Sequence, residues 1–218
     1  MGLIESIHGG YVHKRRISVL SDWCSSVIPS NSRVLDVGCG DGQLARLIAY
    51  KRPDISIQGI DVHIRDDAAI PVQVFDGKSI PYGKDSFDVV MFVDVLHHTR
   101  QPMTLLREAV RVATEGILIK DHLVQGMLAY PTLRFMDWVG NARHGVALPY
   151  NYWTLAEWHR AFDKLGFNIA AWESNLKLYP FPVDLLLGRS LHFIVQLGMS
   201  GKTRIHLQHD KIRTKGSG

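Results

Sequence analysis

Val34-Leu35-Asp36-Val37-Gly38-Cys39-Gly40-Asp41-Gly42 carries an apolar strand directly into a turn with glycine at every second position, and Gln43 to Tyr50 continues as a helix. Glycines so spaced let the chain turn tightly and let a ligand approach backbone where a Cβ would collide with it. Working outward, Ser56 to Ile60, Val72 to Phe75, Asp88 to Val93 and Gly116 to Lys120 read as four more strands. Pro102 to Val112 forms a helix between the last two, with proline tolerated in its first turn and Leu105, Leu106, Ala109 and Val110 on one face. Thr154, with Glu157 three residues on, caps a later helix that stops at Gly166, and Phe167 to Trp172 and His192 to Leu197 close the series as strands. Alternating strands and helices make an α/β fold, doubly wound, with a mostly parallel seven-stranded sheet and helices on both faces.

The 218 residues, 46% of them hydrophobic, are expected to form one domain over residues 1–218. Tyr11 to Ile28 has helical spacing and serves as an N-terminal helical cap of about 1–31. Residues 122–153 break the alternation with aromatic, proline and polar residues and read as an irregular, lid-like insertion. Lys202, Arg204, Lys211, Arg213 and Lys215 give a basic tail of about 199–218, which accounts for part of the net charge of +4. That tail leaves peripheral membrane contact open, while nucleic acid is disfavoured as a partner. Two cysteines, Cys24 and Cys39, exclude a disulfide framework, and no apolar run is long enough to span a bilayer, so a cytoplasmic location is expected. The oligomeric state is not legible.

Asp36, two residues before the first loop glycine, separates two readings of the loop. Dinucleotide sites use a helix N-terminus to hold a pyrophosphate, whereas carboxylates suit a ligand with a sulfonium and an ammonium. With this acid the segment resembles motif I of class I S-adenosylmethionine-dependent methyltransferases, a Rossmann-like family. Ile80 to Val90 with Asp94-Val95-Leu96-His97-His98 is similar to the fourth-strand signature of the small-molecule branch called methyltransferase type 11. Leu105 to Val112, Trp153 to Trp158 and Leu165-Gly166-Phe167 resemble its later helices. The likeness covers Val34 to Phe167, with one departure: Ala113-Thr114-Glu115-Gly116 replaces the family's Lys-Pro-Gly-Gly, which implies a tighter turn before the fifth strand.

The resemblance implies S-adenosylmethionine as cofactor and S-adenosylhomocysteine as product, with Asp36, Gly38, Cys39, Gly40 and Gly42 around the donor. Asp61, nineteen residues after Gly42, would accept both ribose hydroxyls, with Val62 beside it. Asp76 with Gly77 would meet the adenine amino group, and Asp94 closes the fourth strand. The acceptor is expected to be a small, apolar or amphiphilic molecule that attacks the methyl group in line. His122, just after the fifth strand, His144 in the insertion, and His98 at the fourth-strand edge are the candidate bases. No metal-ligand spacing is apparent. The rival readings are a nucleic-acid or protein methyltransferase, whose Asn/Asp-Pro-Pro-Tyr/Phe signature is replaced here by Asp94-Val95-Leu96-His97, and a non-catalytic cofactor-binding module.

Overall fold

A computed structural model of the chain describes residues 3–141, 149–181, 183–188 and 191–199. Seven strands, β1 (Arg33–Val37), β2 (Ser56–Asp61), β3 (Val72–Val74), β4 (Phe87–Val93), β5 (Ala113–His122), β6 (Phe167–Glu173) and β7 (His192–Met199), form one sheet. Their order is β3-β2-β1-β4-β5-β7-β6, and β7 alone runs against its neighbours. This confirms the expected α/β architecture. The parallel strands end on one edge, so the loops after β1, β2, β4 and β5 share it. β7 enters from that same edge, pairing His192 with His122.

Helices α1 (Leu3–Val27), α2 (Gln43–Lys51), α3 (Pro102–Val112), α4 (Ala129–Asn141), α5 (Leu155–Lys164) and α6 (Val183–Leu187) complete the described fold. Because side chains alternate along a strand, a sheet covered on both faces must be apolar at successive positions. Leu35, Val37, Val90, Phe92, Ile117 and Ile119 accordingly pack with α3 and α5, while Val34, Met91, Leu118 and Ile194 pack with α1 and α2. Thr154 and Glu157 form the expected capping box at α5.

Two expectations change. The insertion is not irregular throughout: α4 occupies its middle, with Pro131 in the first turn, where no intrahelical N–H is lost. The tight turn expected at Ala113–Gly116 is absent as well. Without Pro or a glycine pair to stop it, the chain passes from Val112 straight into β5, and a register shift between Phe87 and Val89 absorbs the junction.

Candidate functional site

The glycine loop after β1 is built from backbone. Gly38 and Cys39 donate their N–H groups to the Ile60 carbonyl (2.7 and 3.3 Å), which ties the loop to the end of β2. Gly38, Gly40 and Gly42 have φ values of +73, +58 and +69°, a region that other residues enter only at a cost. Asp61 turns its carboxylate back to the loop and accepts from Gly40 N–H (2.8 Å) and His63 N–H (3.2 Å). Asp76 accepts from the Lys78 and Ser79 N–H groups, both at 2.7 Å, which hold it below its ordinary pKa. Val62 is exposed at the β2 end, and Gly77 follows Asp76 with φ +73°. A Cβ on Gly59 would lie 2.6 Å from Cys39 Sγ, so this strand glycine is what lets Cys39 pack there.

Asp36 is buried beneath the loop. Burial, and then the nearby Asp61 charge, lift its pKa to about 7. A carboxyl so placed gains from a cation above it. The open space over Gly40, where a Cβ would meet only the Arg65 side chain, at 3.6 Å, leaves the backbone accessible. Acidic side chains around an unshielded loop fit a ligand carrying a sulfonium, an ammonium and a ribose, so the residues present suit S-adenosylmethionine.

At the β4 and β5 ends the site changes character. Asp94, in left-handed conformation at φ +57°, accepts from Arg16 of α1 (2.8 Å) and from the fully buried Lys120 of β5. Burial alone would raise its pKa, but those two cations hold it well below the carboxylate range. His97, in the turn Leu96–His98, places Nδ1 2.6 Å from Asp121 Oδ1 and Nε2 3.5 Å from Asp137 Oδ1. Burial opposes its charge, yet the two carboxylates outweigh it and lift its pKa to about 10. Asp121 is further fixed by the N–H groups of Leu96 (3.0 Å) and His122 (2.7 Å). Asp137, on the buried side of α4, accepts from Tyr152 (2.5 Å) and lies 3.6 Å from His122 Nε2. Lys120 also meets His192 (3.3 Å).

Two of the three candidate bases, His122 and His98, lie at this end of the sheet. His122 is nearly sealed, 5% exposed, and burial and His97 push its pKa down. His98 is half-buried, and burial, followed by the His97 charge, lowers it to about 4. In both, burial and the neighbouring His97 charge favour the neutral imidazole. His144 lies outside the described residues, as does the basic tail from residue 200 onward. Arg16, Lys120, Asp121, Asp137, Tyr152 and His192 were missed from sequence. The signal that could have found Lys120 and Asp121 was Lys120-Asp121-His122, three polar residues directly after the apolar run Ile117 to Ile119.

Residues 11–171, well over half of the chain, match the sequence family described as a methyltransferase domain. The chain belongs to that family, with the class I fold. Curated relatives of this methyltransferase domain include 27-O-demethylrifamycin SV methyltransferase of Amycolatopsis mediterranei (strain S699), 27% identical over 133 residues, 51% of this chain and 48% of that one. Ajmaline N-methyltransferase of Rauvolfia serpentina is 25% identical over 173 residues, 70% of this chain and 52% of that one. The chain spans about half the length of these relatives. Among solved structures, magnesium protoporphyrin IX methyltransferase of Synechocystis PCC 6803 with bound S-adenosylhomocysteine gives a TM-score of 0.59 at 16% identity, over 92% of this chain and 89% of that one. The [4+2]-cyclase SpnF gives 0.60 at 19%, over 83% and 79%, so this methyltransferase domain shares its fold with a protein named for other chemistry. No helix among the described residues is long and apolar enough to cross a membrane.

Proposed function

We propose that this domain transfers the methyl group of S-adenosylmethionine to a small, apolar or amphiphilic acceptor. One observation carries the reading: the glycine loop and the histidine–carboxylate cluster stand side by side on one sheet edge, joined at Asp94-Val95. A Cβ on Gly38 would lie 2.5 Å from Val95 Cγ2, while Asp94 holds Lys120. Asp61 and Val62 would take the ribose, Asp76 and Gly77 the adenine, and Gly38 to Gly42 with Asp36 the methionyl part. When bound, the donor supplies an electrophilic methyl group on a sulfonium. The protein then contributes alignment of donor and acceptor and exclusion of water.

The acceptor class is supported by the printed names of the curated relatives, which refer to small molecules. It is supported too by the exposed apolar side chains Met127, Leu128, Phe135 and Trp138 on and before α4. Calorimetry with S-adenosylmethionine, S-adenosylhomocysteine and NAD tests the cofactor assignment; tighter binding of NAD would overturn it. A panel of small hydroxylated and amine acceptors, read by S-adenosylhomocysteine release, tests the transfer. Turnover only with nucleic acid or protein would replace the acceptor class.

A further inference from the structure

The polar cluster at the β4 and β5 ends contains buried ring nitrogens that its other side chains do not satisfy. His97 Nε2 and His98 Nδ1 are buried and make no hydrogen bond. His97 and His98 belong with Asp137 to a trio that can bring one ligand atom each within 4.8 Å of one another. We infer that His97, His98 and Asp137 form a binding site for one divalent transition-metal ion, with Zn²⁺ as the best match, at the edge where the acceptor would react.

The donor chemistry narrows the ion. Two imidazoles and one carboxylate suit borderline cations such as Zn²⁺, Co²⁺ or Ni²⁺, whereas Mg²⁺ prefers all-oxygen sets and retains its water. The separation between His97 Nε2 and Asp137 Oδ1, 3.5 Å, is long for a hydrogen bond. It is close to the roughly 3.4 Å edge of a tetrahedron built with metal–ligand bonds near 2.1 Å.

The surroundings have the form of an outer shell. Asp121 receives His97 Nδ1 at 2.6 Å and is itself anchored by two backbone N–H groups, which fixes the ring with Nε2 aimed at Asp137. Metal-bound imidazoles commonly have such a carboxylate on the other nitrogen. Tyr152 donates to Asp137 Oδ2, and Asp137 Oδ1 lies 3.5 Å from His97 Nε2 and 3.6 Å from His122 Nε2. A metal ion at Nε2 takes the place of a proton there, and that proton is released to solvent.

Arg16 and Lys120 do not occupy this position, because both are engaged by Asp94. The trio Asp94, His97 and His122 also falls within ligand range, but its carboxylate already carries those two cations and is the poorer choice. His122 Nε2, 3.6 Å from Asp137 Oδ1, borders the preferred site. Three protein ligands leave a coordination position for an acceptor oxygen or nitrogen, and a metal ion there would acidify a hydroxyl that weakly basic imidazoles would deprotonate poorly. In that respect the inference rests on the proposed function, although the binding site itself does not.

The test uses the full chain, stripped with a chelator, returned to metal-free buffer and titrated with Zn²⁺ against a chromophoric competitor. Co²⁺ loading reports the ligand field in the visible spectrum. One Zn²⁺ per chain is expected, together with intense d–d bands for Co²⁺. His98→Ala and Asp137→Asn should each weaken Zn²⁺ at least tenfold and alter the Co²⁺ spectrum, while exposed His159→Ala should do neither. His98 is only half-buried and Asp137→Asn is isosteric; melting curves and unchanged S-adenosylhomocysteine affinity show that each variant is folded. Failure to bind Zn²⁺ or Co²⁺ stoichiometrically would overturn the site, as would binding that survives both substitutions. So would full turnover by chelated, metal-free protein that falls only on His122→Ala, because the cluster would then supply a base. Failure to bind S-adenosylhomocysteine would sink the proposed function and leave the metal titration readable.

Discussion

The proposed cofactor side and the proposed acceptor side of the edge are built on opposite principles. After β1 and β2 the site is local and made of backbone: three positive-φ glycines, a carboxylate reaching back to a loop N–H, and one buried acid. After β4 and β5 it is assembled from far apart and made of side chains, with Arg16 from α1, Asp137 from α4 and His192 from β7 meeting around Asp94, His97 and Lys120. A backbone cradle tolerates little change in shape but has few charges to lose. A charge cluster can keep its shape, yet each deletion leaves a buried partner unanswered.

Gly40→Val is expected to show the largest effect on the first side. It forces a β-branched residue to φ +58° and fills the space above the loop, so S-adenosylhomocysteine binding should fall by ~4 kcal/mol or more while Zn²⁺ binding at the other side stays within twofold. Parallel calorimetry measures both, and loss of both ligands would show that the two sides are one unit. Asp61→Ala comes next. It would remove the proposed acceptor for both ribose hydroxyls and should weaken the cofactor by about 2–4 kcal/mol.

On the second side, Tyr152→Phe deletes the hydroxyl that Asp137 accepts and should lower unfolding free energy by about 1–3 kcal/mol in denaturant titrations. Cofactor affinity should not move. A change in affinity larger than the change in stability would mean that α4 takes part in donor binding.

The smallest effect concerns Asp36. Its folded pKa of about 7 lies above its ordinary value of 3.8. Protonated Asp36 therefore favours the ligand-free fold below the ordinary value, and that contribution is lost as pH rises through about 7. A cationic ligand reverses the preference, so cofactor affinity should rise with pH across this window by at most roughly tenfold per unit, with release of a proton. Calorimetry in buffers of different ionisation enthalpy detects that proton, and Asp36→Asn should abolish the release. Proton uptake instead would place the methionyl cation elsewhere.

The same contrast explains what sequence could and could not reveal. The Val34 to Gly42 stretch, Asp61 and the Thr154–Glu157 cap are legible because each depends on neighbours a few residues away. Asp137 was not, since it stands in α4 among Phe135, Met136 and Trp138 and gains meaning only when the helix turns it toward His97. α4 itself was hidden by Pro131 and by apolar residues on both its faces, with Leu133 buried and Phe135 and Trp138 exposed, which blurs the one-sided periodicity of an amphipathic helix. Gly59 reads as an ordinary strand residue until Cys39 is seen packed against it.

The reversed direction of β7 has a practical side. Because His192 pairs with His122 at the edge that carries the glycine loop, the strand reaches Met199 beside Phe167 at the other end of the sheet. A fluorophore or surface tether attached at Met199 would thus begin on the side remote from both proposed binding sites. Immobilised protein oriented in this way would turn the sheet edge that carries the glycine loop toward solution, a geometry suited to screening acceptors by surface binding.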